Sequence, residues 1–122
     1  MTPTAKSFED VDIWKKAHQF VLDVYGLTED FPKHELFGLT SQLRRSAVSV
    51  PANFAEGFRK GTKPDKLKFY GISLTSIEES RYYLRLAKDL RYADTTILRG
   101  RLEEISKMLT RYMAKIRFTD RK

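Results

Sequence analysis

A chain of 122 residues with 41% hydrophobic and 32% charged residues can build one core, and it has no apolar run long enough to span a bilayer. It contains no cysteine, which excludes a disulfide framework and thiolate metal sites and accords with a cytoplasmic protein. The net charge of +7 is unevenly placed: residues 1–58 hold 6 Lys and Arg against 8 Asp and Glu, a balance of −2, whereas residues 59–122 hold 17 against 8, a balance of +9.

Residues 1–8 are expected to form a flexible arm, and the opening MTPTAKSFED lacks the basic and apolar regions of a secretory signal. Asp10 or Asp12 is placed to cap a first helix running to about Asp30. Ile13, Ala17, Phe20, Val24 and Phe31 recur at helical spacing on one face, with Trp14, Val21 and Tyr25 on a second. Gly26 inside this helix marks either close packing or a weak point. Phe31-Pro32-Lys33-His34 breaks the pattern, because a residue before proline is disfavoured in helix.

A second helix is expected from near Glu35 to Gly57, with an apolar stripe of Leu36, Leu39, Leu43, Ala47, Val50 and Phe54. Beside it runs a polar stripe: Gln42, Ser46, Ser49, Asn53 and Glu56. Pro51 falls in its interior, where a proline removes one hydrogen bond and costs about 3 kcal/mol. Two structures satisfy this. In one, a kinked continuous helix leaves the Ala47 carbonyl to Ser46, Ser49, Asn53 or a water; in the other, the helix stops and restarts with Pro51 in its first turn.

Gly57 to Pro64 reads as a basic loop, with Thr62 as cap and Pro64 in the first turn of a third helix that runs to about Tyr92. That helix carries one stripe of Tyr70, Leu74, Ile77 and Leu84 and another of Phe69, Ile72, Ser76, Glu79, Tyr83, Leu86 and Leu90. Asp94 is placed to cap a fourth helix ending near Phe118, with the stripe Leu98, Leu102, Ile105, Leu109, Tyr112 and Ile116. Lys107, Arg111 and Lys115 lie on its other side. The fold class is therefore all-α: an antiparallel up-down-up-down four-helix bundle over residues 9–118, its second helix kinked at Pro51, with 119–122 as a tail.

Helices one to three carry apolar residues on two faces, more than one small bundle interior buries, which points to self-association. Asn53, Glu56, Ser76 and Glu79 fall in or beside stripes that should be buried, with Arg44, Arg45 and Arg81 as cationic partners. The favoured reading is a polar layer that fixes helix register, within or between subunits. Its competitor is a carboxylate pair, Glu56 with Glu79, doing acid–base or metal chemistry. Two-metal bundles need Glu-x-x-His pairs, which neither His18 nor His34 completes, so no catalytic residue, metal or cofactor is assigned.

Arg59, Lys60, Lys63, Lys66 and Lys68 form the densest basic cluster, with Phe58 and Phe69 nearby; Arg81, Arg85 and Lys88 recur as a strip on helix three. Such patches grip phosphates, and aromatic neighbours stack on unpaired bases. The bland alternative is a solvated face serving solubility.

The segments QLRRSAVSVPANFAEG and FYGISLTSIEESRYYLRLA, joined by the basic loop, resemble the four-helix-bundle family of 23S rRNA intervening-sequence proteins. The opening FEDVDIWKKAHQFVLDVY is similar to that family's first helix. The resemblance implies a ring-shaped homopentamer without catalytic residues, and nucleic-acid binding is the usual suggestion for the family. A related bundle, the accessory protein of diversity-generating retroelements, binds a reverse transcriptase and RNA, so such an enzyme is a partner here only by distant analogy. The sequence thus reads as a non-enzymatic oligomeric interaction protein binding RNA or DNA through residues 59–122, with no membrane partner. The alternative is a protein-binding scaffold or accessory subunit.

Overall fold

The computed structural model describes residues 5–119, which form four α-helices and two short 3-10 turns, with no strand among them. The helices are α1 (Asp12–Thr28), α2 (Leu39–Arg59), α3 (Lys63–Asp89) and α4 (Thr96–Phe118). Of the arm expected over 1–8, residues 1–4 lie outside the described residues, as do 120–122 of the tail. Ser7 and Phe8, by contrast, are built into the fold. The Ser7 hydroxyl accepts from the Glu9 amide at 3.0 Å, the Asp10 carboxylate accepts from the Ser7 amide at 3.2 Å, and Phe8 packs edge-on against Trp14 at 5.2 Å. Asp10 is thus used in a capping box one turn ahead of α1, which itself begins after Val11 without a side-chain cap.

Between α1 and α2 the chain makes a 3-10 turn over Lys33–Glu35, so α2 starts later than its stripe suggests. The reason is the Glu35 side chain. One carboxylate oxygen accepts from the Leu39 amide at 3.0 Å, satisfying the helix start from outside, and the other accepts from the Tyr92 hydroxyl at 2.8 Å. The backbone amide holds this carboxyl below its usual range, with Tyr92 second. Gly38 leaves room for it, since a Cβ there would sit 2.7 Å from the Glu35 oxygen.

Helix α2 continues through the buried Pro51 without interruption, which removes the stop-and-restart option. None of the three side chains placed to serve the Ala47 carbonyl does so. Ser46 donates to the Leu43 carbonyl, Asn53 donates to the Ser49 carbonyl at 2.9 Å, and the Ser49 hydroxyl accepts from Asn53 and Ser76. At the start of α3, Thr62 accepts from the Asp65 amide, with Pro64 in the first turn. Asp94 accepts from the Thr96 amide at 3.0 Å, one residue earlier than a regular cap, because Thr95 is buried and donates to the Leu84 carbonyl.

The core is one cluster in which all four helices take part, including Phe20, Leu43, Phe54, Tyr70, Ile77, Leu84, Leu102, Ile105 and Leu109. Helices α2 and α3 pack closest, along a seam of small residues. Ser46 meets Ser80 at 2.8 Å, Ser49 meets Ser76 at 2.7 Å, and Ser73 donates to the Val50 carbonyl at 2.9 Å. Rising numbers on α2 thus meet falling numbers on α3. Farther along the same seam Gly57 lies against the ring of Tyr70. On the opposite side Lys16 pairs with Glu104, and Asp23 with Arg101, giving the same inverse register between α1 and α4.

Candidate nucleic-acid interface

The last turn of α2, the first turns of α3 and the last turns of α4 meet at one end of the molecule. Phe54, Tyr70 and Tyr112, one from each helix, pack together there with ring centroids 5.0–5.6 Å apart, Phe54 stacked on Tyr70 and Tyr112 edge-on to Tyr70. Near these rings stand the five cations of the basic cluster. The loop expected over Gly57 to Pro64 shortens to residues 60–62, because α2 runs on to Arg59 and α3 starts at Lys63, so four of the five are helical. Lys66 is half-buried and donates to the Gly57 and Phe58 carbonyls at 3.2 and 2.8 Å, capping the negative end of α2. Burial pushes its ammonium down from the usual lysine value. Lys60 pairs with Glu56 at 3.7 Å and lies 5.0 Å from the Phe69 ring centroid, with Lys68 at 5.8 Å from the same ring. Lys63 reaches across to α4, donating to the Thr119 carbonyl at 2.7 Å. Arg59 is exposed.

Two cations of α4 join this end that the sequence placed only on a helix face. Lys115 lines a concavity of about 400 Å³ with Lys63, Lys66, Ile116 and Thr119. It also lines a smaller one of about 210 Å³ with Ile13, Met108, Arg111 and Tyr112. Their spacing four residues apart was the available signal, but only the fold sets them beside the loop.

The helix-three strip is a different matter. Arg81 donates to Glu103 across to α4 and to Glu78 at 3.1 Å, and these carboxylates hold its guanidinium firmly charged. The Arg85 Nε–H is shared between the two carboxylate oxygens of Asp89, at 3.3 and 3.1 Å, in an i,i+4 pair. Only Lys88 is exposed without such a pair, and it sits close enough to Asp94 to lower that carboxyl, behind the effect of the Thr96 amide. Lys66 and Arg81 are fifteen residues apart on one helix, about 22 Å along its axis. The eight predicted contacts therefore fall into two separate groups, one of them largely neutralised by its own neighbours.

The expected polar layer also divides. Ser76 and Asn53 both meet Ser49 in the α2–α3 seam. Glu56 and Glu79 are exposed instead, because a carboxylate buried in so narrow a seam would lose its water without a cation to replace it. They are not a pair: Glu56 lies near the level of Tyr70 and Glu79 near that of Ser80, about 14 Å apart along the axis. Arg44 ties α1 to α2, donating to the Thr28 hydroxyl at 2.8 Å with its guanidinium 4.6 Å from the Tyr25 centroid. Arg45 is exposed at a polar cleft of about 260 Å³ with Gln42, Ser46, Ser49, Glu79 and Tyr83. Among the described residues no group of three or more His, Cys, Asp or Glu could hold a metal ion, and no helix is long and apolar enough to cross a membrane.

Four helices around one core, with a cluster of cations at one end, define a small all-helical protein with a basic terminus. Residues 9–111 match the 23S rRNA-intervening sequence protein family, and the chain belongs to it. A solved structure of a protein of unknown function from the S23 ribosomal protein family of Bacteroides thetaiotaomicron shares the fold, with a TM-score of 0.77 at 22% identity. The match covers 83% of this chain and 97% of that one. No curated protein matches the sequence.

Proposed function

We propose that this chain is a non-enzymatic, cytoplasmic interaction protein that binds the phosphate backbone of RNA or DNA through its basic end. The observation that carries the reading is the gathering of Lys63, Lys66 and Lys115 around one concavity, with Lys60 (paired with Glu56) and Lys68 at the Phe69 ring early in α3 and exposed Arg59 in the last turn of α2. Converging cations release counterions when they neutralise phosphates, so affinity falls steeply with salt and depends weakly on sequence. Arg81, Arg85 and Lys88 contribute little, since two of the three already face carboxylates.

The helices follow one another up, down, up and down, and the chain assembles with copies of itself, in the homopentamer that the family resemblance implies. Support for assembly comes from apolar side chains left outside the core. Tyr25, Leu36, Phe37 and Val48 line a groove of about 700 Å³, and Phe37 is 92% exposed. The same groove favours the second reading, a scaffold or accessory subunit that docks another protein, of which a reverse transcriptase is the analogue.

Titration of a labelled oligonucleotide at two salt concentrations tests the first reading. Replacing Arg59, Lys60 and Lys63 with Ala should lower the salt slope by up to about 0.7–0.9 per lost contact. Binding that is absent at low salt, or indifferent to salt, refutes it. Light scattering tests assembly, and a monomer at every concentration refutes that.

A further inference from the structure

Resting on the polyanion reading above, we infer that the basic end takes single-stranded rather than duplex nucleic acid, with Phe118 as the platform on which an unpaired base stacks. The two aromatics that the sequence set beside the basic loop are occupied. Lys66 lies 5.6 Å from the Phe58 centroid, and Lys60 and Lys68 both lie over Phe69. Both rings are themselves partly buried. Phe118, the last residue of α4, is 78% exposed, far beyond what core packing explains for a phenylalanine.

Its surroundings are cationic. Exposed Lys115 and Arg117 precede it in the last turn, and the following carbonyl, that of Thr119, accepts from Lys63. Behind it, Lys107, Arg111 and Lys115 stand exposed at four-residue steps on α4, about 6 Å apart each. Lys115 belongs to both concavities, so the row on α4 runs without a gap into the loop cluster. A linear row of cations ending at an uncovered aromatic face fits a single strand, whose phosphates follow the row while an unstacked base lies on the ring. A duplex keeps its bases paired and offers Phe118 nothing to stack on.

Equilibrium binding of a uridine homopolymer and of an RNA duplex of equal length, at low and moderate salt, tests this with F118A, F118W and K115A. F118A should weaken single-strand binding about 5- to 150-fold, the range one base–aromatic stack supplies, with salt slope and duplex affinity unchanged. K115A should lower the salt slope on both ligands. F118W should keep its affinity and show fluorescence quenched by the homopolymer. Wild-type affinity in F118A, or an equal loss on both ligands, overturns the inference while leaving the polyanion reading in place. Failure of the unmodified protein to bind either ligand at low salt overturns both.

Discussion

Replacing Gly57 with Ala tests the closest point of the α2–α3 seam, because two effects of opposite sign compete there. In an exposed helix interior the change adds about 1 kcal/mol of stability through propensity alone. At Gly57 the new Cβ would lie 2.7 and 2.8 Å from two ring carbons of Tyr70 and 3.2 Å from the Lys66 carbonyl. Carbon contacts are comfortable at about 3.5–4.0 Å, so the helices must separate by most of an ångström or the ring must turn. The ring has nowhere to go: Tyr70 is fully buried, with Phe54 5.0 Å away and Tyr112 5.5 Å away. Overpacking of this kind costs about 1–3 kcal/mol, and a fixed ring plus a backbone carbonyl put this site near the upper figure. After the propensity gain, we expect a net loss of about 2 kcal/mol. Gly26 in α1 is the control, since a Cβ there meets nothing within 4 Å, and G26A should gain about 1 kcal/mol. Urea unfolding followed by helical circular dichroism, at one fixed protein concentration, reads both variants in a single series. If G57A stabilises as G26A does, the tight α2–α3 contact is wrong.

Arg91 is the sole described non-glycine residue with positive φ, at 64°, and it closes α3. The Tyr92 amide donates to the Ala87 carbonyl and the Arg91 amide to that of Lys88, a Schellman ending that favours glycine at this position. R91G should therefore raise stability by about 0.5–1 kcal/mol in the same urea series, and a loss would refute the strain. The Glu35 carboxyl is depressed in the folded state, so the stability it brings is present above the ordinary carboxylate range and is lost as pH falls through its lowered value. Glu103, held down mainly by Arg81, and Asp94, held down mainly by the Thr96 amide, act in the same direction. Melting temperatures should drop as pH falls below about 4, and E35Q should flatten the drop; an unchanged profile in E35Q would remove Glu35 from the account. Finally, R81A and R85A should leave the salt slope of nucleic-acid binding nearly unchanged, unlike the R59A, K60A and K63A set, and an equal drop would place helix three in the interface.

Much of the fold was legible because helical periodicity, Thr62 with Pro64, and the Pro32 break are local signals that tertiary structure had no reason to override. The start of α2 was not, since its cap comes from a side chain four residues upstream that Tyr92, 57 residues away in sequence, holds in place. Nor was the serine seam. A stripe of polar residues looks the same in sequence whether it meets a carboxylate, water or another serine, and only the narrow gap between α2 and α3 selects the last. The interface shows the same limit most sharply. A count of +9 over residues 59–122 treats Arg81, Arg85 and Arg101 as available charge, yet each faces a carboxylate in the fold, two of them across helices. Removing them leaves most of the exposed cations where α2, α3 and α4 meet and along the outer side of α4, with Lys88 and Arg91 apart at the far end of α3. A polyanion would therefore approach one end and one flank of the bundle, although lysine and arginine are spread along the whole second half of the chain.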